Sequence, residues 1–182
     1  MVLNNYELKP MCSRSLMVHL IDDLLDVSRI TTGTIQLRRQ LSSLDTLLNV
    51  AIEAHHAQIE ASRIGFSLDL SEERVVLDVD PTRFVQVISN LLDNALKYTD
   101  PGGQIRIATK LTRDSERAPT LVLTLSDSGV GITAALLPQL FEPFTRGDAE
   151  ARHAKGLGIG LALTRRLIEM HDHRDLSRAQ RR

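Results

Sequence analysis

An amphipathic helix between residues 82 and 99 is the feature that most constrains this 182-residue chain. Apolar side chains recur there at three- and four-residue spacing, which predicts one buried face; they are Phe84, Val87, Ile88, Leu91, Leu92 and Ala95. Asn90, Asn94 and Lys97 share another face of the same helix. Asparagine is a poor interior helix former, because its amide competes for backbone hydrogen bonds. This face is therefore either kept for a ligand or made of solvated amides.

Three further motifs follow the helix in order. Residues 127–131 read DSGVG, residues 140–144 read LFEPF, and residues 155–161 read KGLGIGL. With the asparagine stretch, they resemble the N, G1, F and G2 boxes of sensor histidine kinases. Those kinases belong to the ATPase superfamily that includes gyrase, heat-shock chaperones and mismatch-repair proteins. The resemblance spans roughly residues 18 to 170, and the four motifs together are far more specific than any one of them.

An adenine site is predicted around the DSGVG motif. Adenine differs from guanine in its exocyclic amine, which needs a buried acceptor. Asp127 ends a predicted strand directly before Gly129 and Gly131, so we expect its carboxylate at the bottom of a pocket that backbone can approach closely. The resemblance implies that Asp127 receives the adenine amine and that Tyr98 lies beside the ring. The alternative is a strand-ending Asp in an ordinary turn.

A triphosphate site is predicted where the KGLGIGL motif enters a helix. Glycines followed by a helix N-terminus offer backbone N–H groups to phosphate. The spacing matches neither a dinucleotide fingerprint nor a Walker loop. Residues 146–155 are predicted to form a mobile lid that Phe141 and Phe144 anchor at its start. The predicted nucleotide contacts on this side are Phe144, Lys155, Gly156, Leu157, Gly158, Gly160 and Leu161.

The resemblance also implies catalytic roles for the asparagine face. Asn94 would coordinate Mg²⁺, and Lys97 would bind phosphate. Hydrolytic members of the superfamily carry a Glu at the position of Asn90. Because an amide cannot accept a proton, water attack lacks a base here, which favours phosphoryl transfer to a protein nucleophile. The predicted catalytic residues are Asn90, Asn94 and Lys97, with ATP and Mg²⁺ as cofactors.

The segment before the ATPase motifs predicts one helix, from about residue 13 to 30, with apolar residues at 3-4-3 spacing. It resembles the second helix of the kinase dimerisation hairpin. We therefore expect a partial hairpin at 1–32, the ATP-binding catalytic domain at 33–170 and a non-family tail at 171–182, as if the chain were truncated at both ends and marginally stable. His19 lies within the helix and is interpreted as a surface residue rather than the phosphoacceptor.

The expected partners follow from the resemblance to sensor histidine kinases. A phosphoacceptor histidine hairpin would be supplied in trans, a response regulator would act downstream, and helix 13–30 would support a homo- or heterodimer. The net charge of −1 gives no reason to expect nucleic acid. A single cysteine fits a reducing compartment, and no membrane segment is apparent. The prediction is a bacterial cytoplasmic location, as the cytosolic part of a larger sensor.

The predicted fold class is an α/β two-layer sandwich. A mixed, mostly antiparallel sheet is covered on one face by helices 45–62, 82–99 and 157–170, after the single hairpin helix. Strands are expected near 35–41, 66–70, 75–79, 104–111 and 120–126, and a short helix at 133–140. His55 and His56 are adjacent, about 100° apart on a helix, and are interpreted as surface residues. His171 and His173 form only a weak candidate metal pair.

Two alternatives to a histidine kinase domain stay open. One is a non-catalytic nucleotide-binding or interaction module that pairs with a full-length kinase through helix 13–30 and modulates it. The other is a serine kinase of the anti-sigma type in the same superfamily. The predicted helix 13–30 argues against the second alternative, because those kinases lack the hairpin.

Overall fold

The computed structural model describes residues 36–113, 119–145 and 157–171. These residues form strands β1 (Gln40–Ser43), β2 (Gly65–Asp69), β3 (Val76–Val79), β4 (Gln104–Thr112) and β5 (Thr120–Asp127), and helices α1 (Leu44–Ser62), α2 (Pro81–Tyr98) and α3 (Gly160–Met170). None of the helices in these ranges combines the length and hydropathy that crossing a membrane requires. The predicted helix 13–30 lies outside the described residues, so the partial hairpin stays a prediction.

The strands hydrogen-bond in two sets. Strand β1 pairs antiparallel with β3, while β4 pairs in parallel with β2 and antiparallel with β5. The second set therefore has the order β2-β4-β5. A mixed, mostly antiparallel α/β fold is confirmed, although the sequence predicted one sheet where the described strands form two.

A core of aliphatic side chains lies between the strands and the three helices. One cluster joins all the layers; its members include Leu48 from α1, Leu77 from β3, Leu92 from α2, Ile107 from β4 and Leu163 from α3, each at most 1% exposed. Full burial of such a side chain contributes about 1.5–3 kcal/mol. Along β4 the burial alternates, so the helices cover one face of the sheet, as predicted.

Helix α2 has a well-defined start. The Asp80 carboxylate accepts a hydrogen bond from the Arg83 N–H at 3.1 Å, and Pro81 occupies the first turn. The helix ends at Tyr98, after which the Thr99 N–H donates to the Ala95 carbonyl at 3.0 Å. The predicted polar face thus lies on an unbroken helix.

Three boundaries differ from the sequence predictions. The first strand is Gln40–Ser43 rather than 35–41, because its pairing with β3 places Gln40 opposite Val79. Residues 133–140 form only a 3₁₀ turn at Leu137–Gln139, since Pro138 lacks the N–H that a longer helix needs. Helix α3 begins at Gly160 instead of 157 because Gly158 takes a left-handed φ of 70°.

The interpretation of His55 as a surface residue is wrong. Its side chain is 9% exposed and its Nε2 lies 3.4 Å from the Asp93 carboxylate of α2, whereas His56 is 58% exposed. The Nδ1 of His55 lies 2.7 Å from the Ala51 carbonyl. The hydrogen bond to Asp93 raises the pKa of His55 above its ordinary value, although burial opposes this. Protonated His55 therefore bridges α1 and α2.

We expect the bridge to make folding stability depend on pH. Because the pKa of His55 is raised in the folded state, its contribution is fully present below the unfolded-state pKa of about 6.5 and is lost as pH rises through the folded-state pKa. Urea unfolding midpoints of wild type and His55→Gln should therefore differ more near pH 6 than near pH 8. His56→Gln is the control. Parallel pH profiles for wild type and His55→Gln would contradict the bridge.

Candidate functional site

Asn90 joins the two helices that carry the candidate site. It is half-buried on α2, and its Nδ2 donates to the carbonyl of Gly160, the first residue of α3, at 3.4 Å. A Cβ at Gly160 would stand 3.8 Å from the Asn90 Cγ, so the two backbones approach at ordinary contact distance. The Asn90 amide is thus a bridge between helices rather than a solvated group.

The last turn of α2 places a cation beside an aromatic ring. Asn94 is half-buried one turn beyond Asn90. Lys97 Nζ donates to the Tyr98 hydroxyl at 2.9 Å and lies 4.7 Å from the ring centroid. An ammonium group at this distance is attracted by the ring electrons. The end of α2 therefore offers an amide, a positive charge and an aromatic surface together.

The DSGVG turn is attached directly to that end of α2. The Val130 N–H donates to the Tyr98 carbonyl at 3.2 Å. A Cβ at Gly129 would lie 2.4 Å from the same Tyr98 oxygen, so no other residue fits without displacing backbone. The Asp127 Oδ1 accepts from the Gly129 N–H at 2.9 Å. The N and G1 motifs are thus adjacent in space.

The prediction that Asp127 lies at the bottom of a pocket is wrong for this structure. Asp127 is exposed because it is the last residue of β5, which forms one edge of the three-stranded set. One carboxylate oxygen is occupied by Gly129. The other has no hydrogen bond within the described part of the chain and is available as an acceptor. Gly131 follows with φ of 71° and open space around it.

Ser128 was given no role by the sequence analysis, yet it connects the turn to β4. Its Oγ accepts from the Gln104 N–H at 2.8 Å, and its own N–H donates to the Gln104 carbonyl at 3.0 Å. A Cβ at Gly103 would lie 2.8 Å from that Oγ. The only sequence signal was a serine beside two turn motifs, which is too common to single out.

The F and G2 motifs also meet. The Phe144 N–H donates to the Gly158 carbonyl at 2.9 Å, and a Cβ on Gly158 would stand 2.6 Å from the Thr145 oxygen. Phe144 itself takes a left-handed φ of 65°. Phe144 is 61% exposed and Phe141 is 41% exposed. Backbone contacts therefore hold the start of the predicted lid, and the Phe141 ring adds a contact with Arg165 of α3, whose guanidinium carbon lies 5.7 Å from the ring centroid.

The first turn of α3 follows directly on the G2 glycines and has no side-chain cap. Its N-cap residue Ile159 makes no side-chain hydrogen bond to the helix. The first N–H groups of a helix lack intrahelical partners and favour anions. Leu157, Gly160 and Leu161 are half-buried around this helix start. Lys155 and Gly156 lie outside the described residues, as do the other predicted lid residues.

The metal-ligating atoms present suit a magnesium ion that binds together with the phosphates of a nucleotide. Within the described ranges, no group of three or more His, Cys, Asp or Glu side chains could hold a metal alone. Mg²⁺ keeps several waters and commonly takes few protein oxygens plus substrate phosphates. The half-buried Asn94 amide carries an oxygen that could serve as one such ligand. The site therefore fits Mg²⁺ bound together with a nucleotide, where the ion would neutralise phosphate charge.

These features define an ATPase-type domain, and comparison with known proteins agrees. Residues 79–181 match the family described as histidine kinase-, DNA gyrase B-, and HSP90-like ATPase. The chain belongs to this family. The resemblance of the four motifs to the ATP-binding domain of sensor histidine kinases is thereby confirmed.

Individual relatives include a histidine kinase and a virulence sensor protein. The chain is 35% identical over 158 residues to the circadian input-output histidine kinase CikA of Synechococcus elongatus, covering 85% of this chain and 20% of that protein. It is 38% identical over 163 residues to the virulence sensor protein BvgS of Bordetella pertussis, covering 87% and 13%. The chain thus spans a fifth or less of the length of these two curated relatives.

A solved structure supports the fold. The histidine kinase AdeS of Acinetobacter baumannii superposes with a TM-score of 0.69 at 24% identity. The match covers 93% of this chain and 75% of that one. At this identity the likeness shows the fold alone.

The contact between Gly129 and Tyr98 can be tested by adding a methyl group. Gly129→Ala places a Cβ against the Tyr98 carbonyl, and overpacking of this kind costs about 1–3 kcal/mol. We expect a lower free energy of unfolding by urea denaturation. Gly65→Ala is the matched control, because its Cβ would meet neighbours only at 3.6 Å. Equal stability of the two variants would contradict the close approach.

Proposed function

We propose that this chain is the ATP-binding catalytic domain of a two-component sensor kinase, and that it transfers the γ-phosphoryl group of Mg-ATP to a histidine of another polypeptide. The observation that carries the proposal is the double role of Tyr98. Its carbonyl holds the Val130 N–H of the G1 turn, while its hydroxyl accepts from Lys97. The motif proposed to recognise the base and the cation proposed to bind phosphate therefore both contact Tyr98.

On the adenine side, recognition would depend on the Asp127 carboxylate. Its Oδ1 accepts from the Gly129 N–H, so Oδ2 is the oxygen that would accept from an exocyclic amine. The open space at Gly131 would leave room for a planar base, and the Tyr98 ring would offer an apolar surface beside it. Guanine carries an oxygen at the corresponding position, which a carboxylate would repel.

On the phosphate side, we assign binding to the start of α3 and the end of α2. The free N–H groups at Gly160 and Leu161 would hold phosphate oxygens, and Lys97 would add a positive charge. Asn94 would hold Mg²⁺. The remaining proposed contacts are Phe144, Lys155, Gly156, Leu157 and Gly158.

The proposed reaction is an in-line transfer. A nitrogen of the acceptor imidazole attacks the γ-phosphorus, the bond to the β–γ bridging oxygen breaks, and ADP leaves with that electron pair. The lone pair of the unprotonated ring nitrogen forms the N–P bond, and the other ring nitrogen releases its proton to solvent. Catalysis then depends on positioning and charge neutralisation rather than on a protein base. Asn90, whose amide is engaged with Gly160, gives water no base, so hydrolysis should be slow.

The proposed partners extend this scheme. The acceptor would be a histidine hairpin supplied in trans, a response regulator would receive the phosphoryl group next, and residues 1–32 would associate with a partner helix. Residues 33–170 would form the catalytic unit. The competing proposal, a non-catalytic module that binds nucleotide and modulates a full-length kinase, shares the binding step but not the transfer.

The binding step is tested by calorimetric titration with Mg-ATP. Asp127→Asn replaces the acceptor Oδ2 by an amide donor that faces the adenine amine, so we expect affinity to fall about 10- to 100-fold, the range for a lost hydrogen bond to a charged group. Asp100→Asn is the control, since Asp100 is exposed and precedes the turn between α2 and β4. Equal affinities of the two variants would contradict the assigned adenine site.

The transfer step separates the two proposals. With γ-labelled ATP and an added hairpin that carries a phosphoacceptor histidine, wild type should label the hairpin, and Asn94→Ala should not. A hairpin with that histidine replaced by glutamine is the control acceptor. ATP binding without any labelling would favour the non-catalytic module.

A further inference from the structure

Helices α2 and α3 run antiparallel and are joined at two places. Near the proposed nucleotide site, Asn90 of α2 meets Gly160 of α3. At the opposite end, Asp80 just before α2 meets His171 just after α3. Ten residues separate the contacts on the first helix and eleven on the second. A contact that holds the two helices together near Asp80 and His171 therefore also sets how they align near Asn90 and Gly160.

His171, which the sequence analysis assigned to the tail, is part of this far contact. It is 3% exposed. Its Nδ1 lies 2.7 Å from the Leu167 carbonyl, and its Nε2 accepts from the Asp80 N–H at 3.1 Å. The proton therefore belongs on Nδ1, because a carbonyl can only accept and an N–H can only donate. The Asp80 Oδ2 in turn accepts from the Arg38 N–H at 2.9 Å.

Arg39, which lies before β1 and belongs to neither helix, adds a further contact at the C-terminal end of α3. Its guanidinium donates to the carbonyls of Met170 at 3.2 Å and His171 at 2.9 Å. Carbonyls at a helix C-terminus lack intrahelical partners and carry partial negative charge. A half-buried guanidinium bound to two of them makes charge-assisted bonds. Arg39 thus ties the segment leading into β1 to the end of α3.

We infer that Arg39 is a positioning residue for the nucleotide site. Helix α3 has 11 residues and so is about 16 Å long; Arg39 holds its C-terminus while its N-terminus faces the proposed phosphates. The inference rests on the proposed function. Arg39 would not touch the nucleotide. It keeps α3 in the alignment in which its first residue, Gly160, contacts Asn90 of α2.

The test compares neighbouring arginines. Arg39→Ala removes the guanidinium that binds α3. Arg38→Ala makes the same charge change but keeps the Arg38 N–H that binds Asp80, so it is the matched control. Mg-ATP affinity is measured well below the melting temperature of every variant, so that only folded protein is compared. Arg39→Ala should bind about 3- to 10-fold more weakly than Arg38→Ala, and Arg39→Lys should recover part of the loss.

Hydrogen exchange of the Leu163 amide, without nucleotide, provides an independent readout. This N–H donates to the Ile159 carbonyl at 2.9 Å and reports on the nucleotide end of α3. We expect faster exchange in Arg39→Ala than in Arg38→Ala. A variant that melts earlier but keeps wild-type affinity and exchange would make Arg39 merely structural and overturn the inference.

The two proposals fail in different ways. If wild type binds no Mg-ATP, the proposed function fails, and the exchange rate alone decides whether Arg39 aligns α3. Equal Leu163 exchange in the two arginine variants would then overturn the positioning role as well.

Discussion

The antiparallel packing of α2 against α3 is the interaction on which the rest of the site depends. Leu92 and Leu163 are within 1% of complete burial in the cluster that joins the two helices to the strands. Loss of a buried leucine from such a core costs about 2–5 kcal/mol, a large fraction of a typical domain's stability. The packing of α2 against α3 holds the Asn90 amide opposite Gly160, the first residue of α3. Functional geometry and folding stability are therefore supplied by the same contacts.

Glycine completes the site where these helices meet the loops. At Gly129 the backbone approaches the Tyr98 carbonyl, and at Gly158 it approaches the Thr145 carbonyl, each closer than a Cβ allows. Both glycines belong to motifs whose role in nucleotide binding we propose. The fold itself also requires glycine at both positions, because each glycine lets a loop lie close to a helix end. A substitution at either position would therefore change the fold locally before it changed any contact with a ligand.

Much of this arrangement could be predicted from the sequence. Helix α2 and strands β4 and β5 have clear apolar periodicity, and four motifs in order defined the family. Contacts between distant residues could not be predicted. His55 was interpreted as exposed because periodicity does not show that Asp93 of another helix lies beside it. The exposure of Asp127 depends on β5 forming an edge, which pairing decides. Asp80 and His171 meet because the two helices are antiparallel, and Arg39 reaches His171 from the segment before β1; no local pattern signals either contact.

The most direct test of the central claim is hydrogen exchange across the whole domain with and without Mg-ATP. If the packing of α2 against α3 brings the four motifs to one site, hydrogen exchange of the Tyr98, Val130 and Leu163 amides should slow over the same range of nucleotide concentrations. These residues lie on α2, on the G1 turn and on α3. Protection of one segment alone, or of segments at clearly different concentrations, would contradict a single site assembled by the two helices.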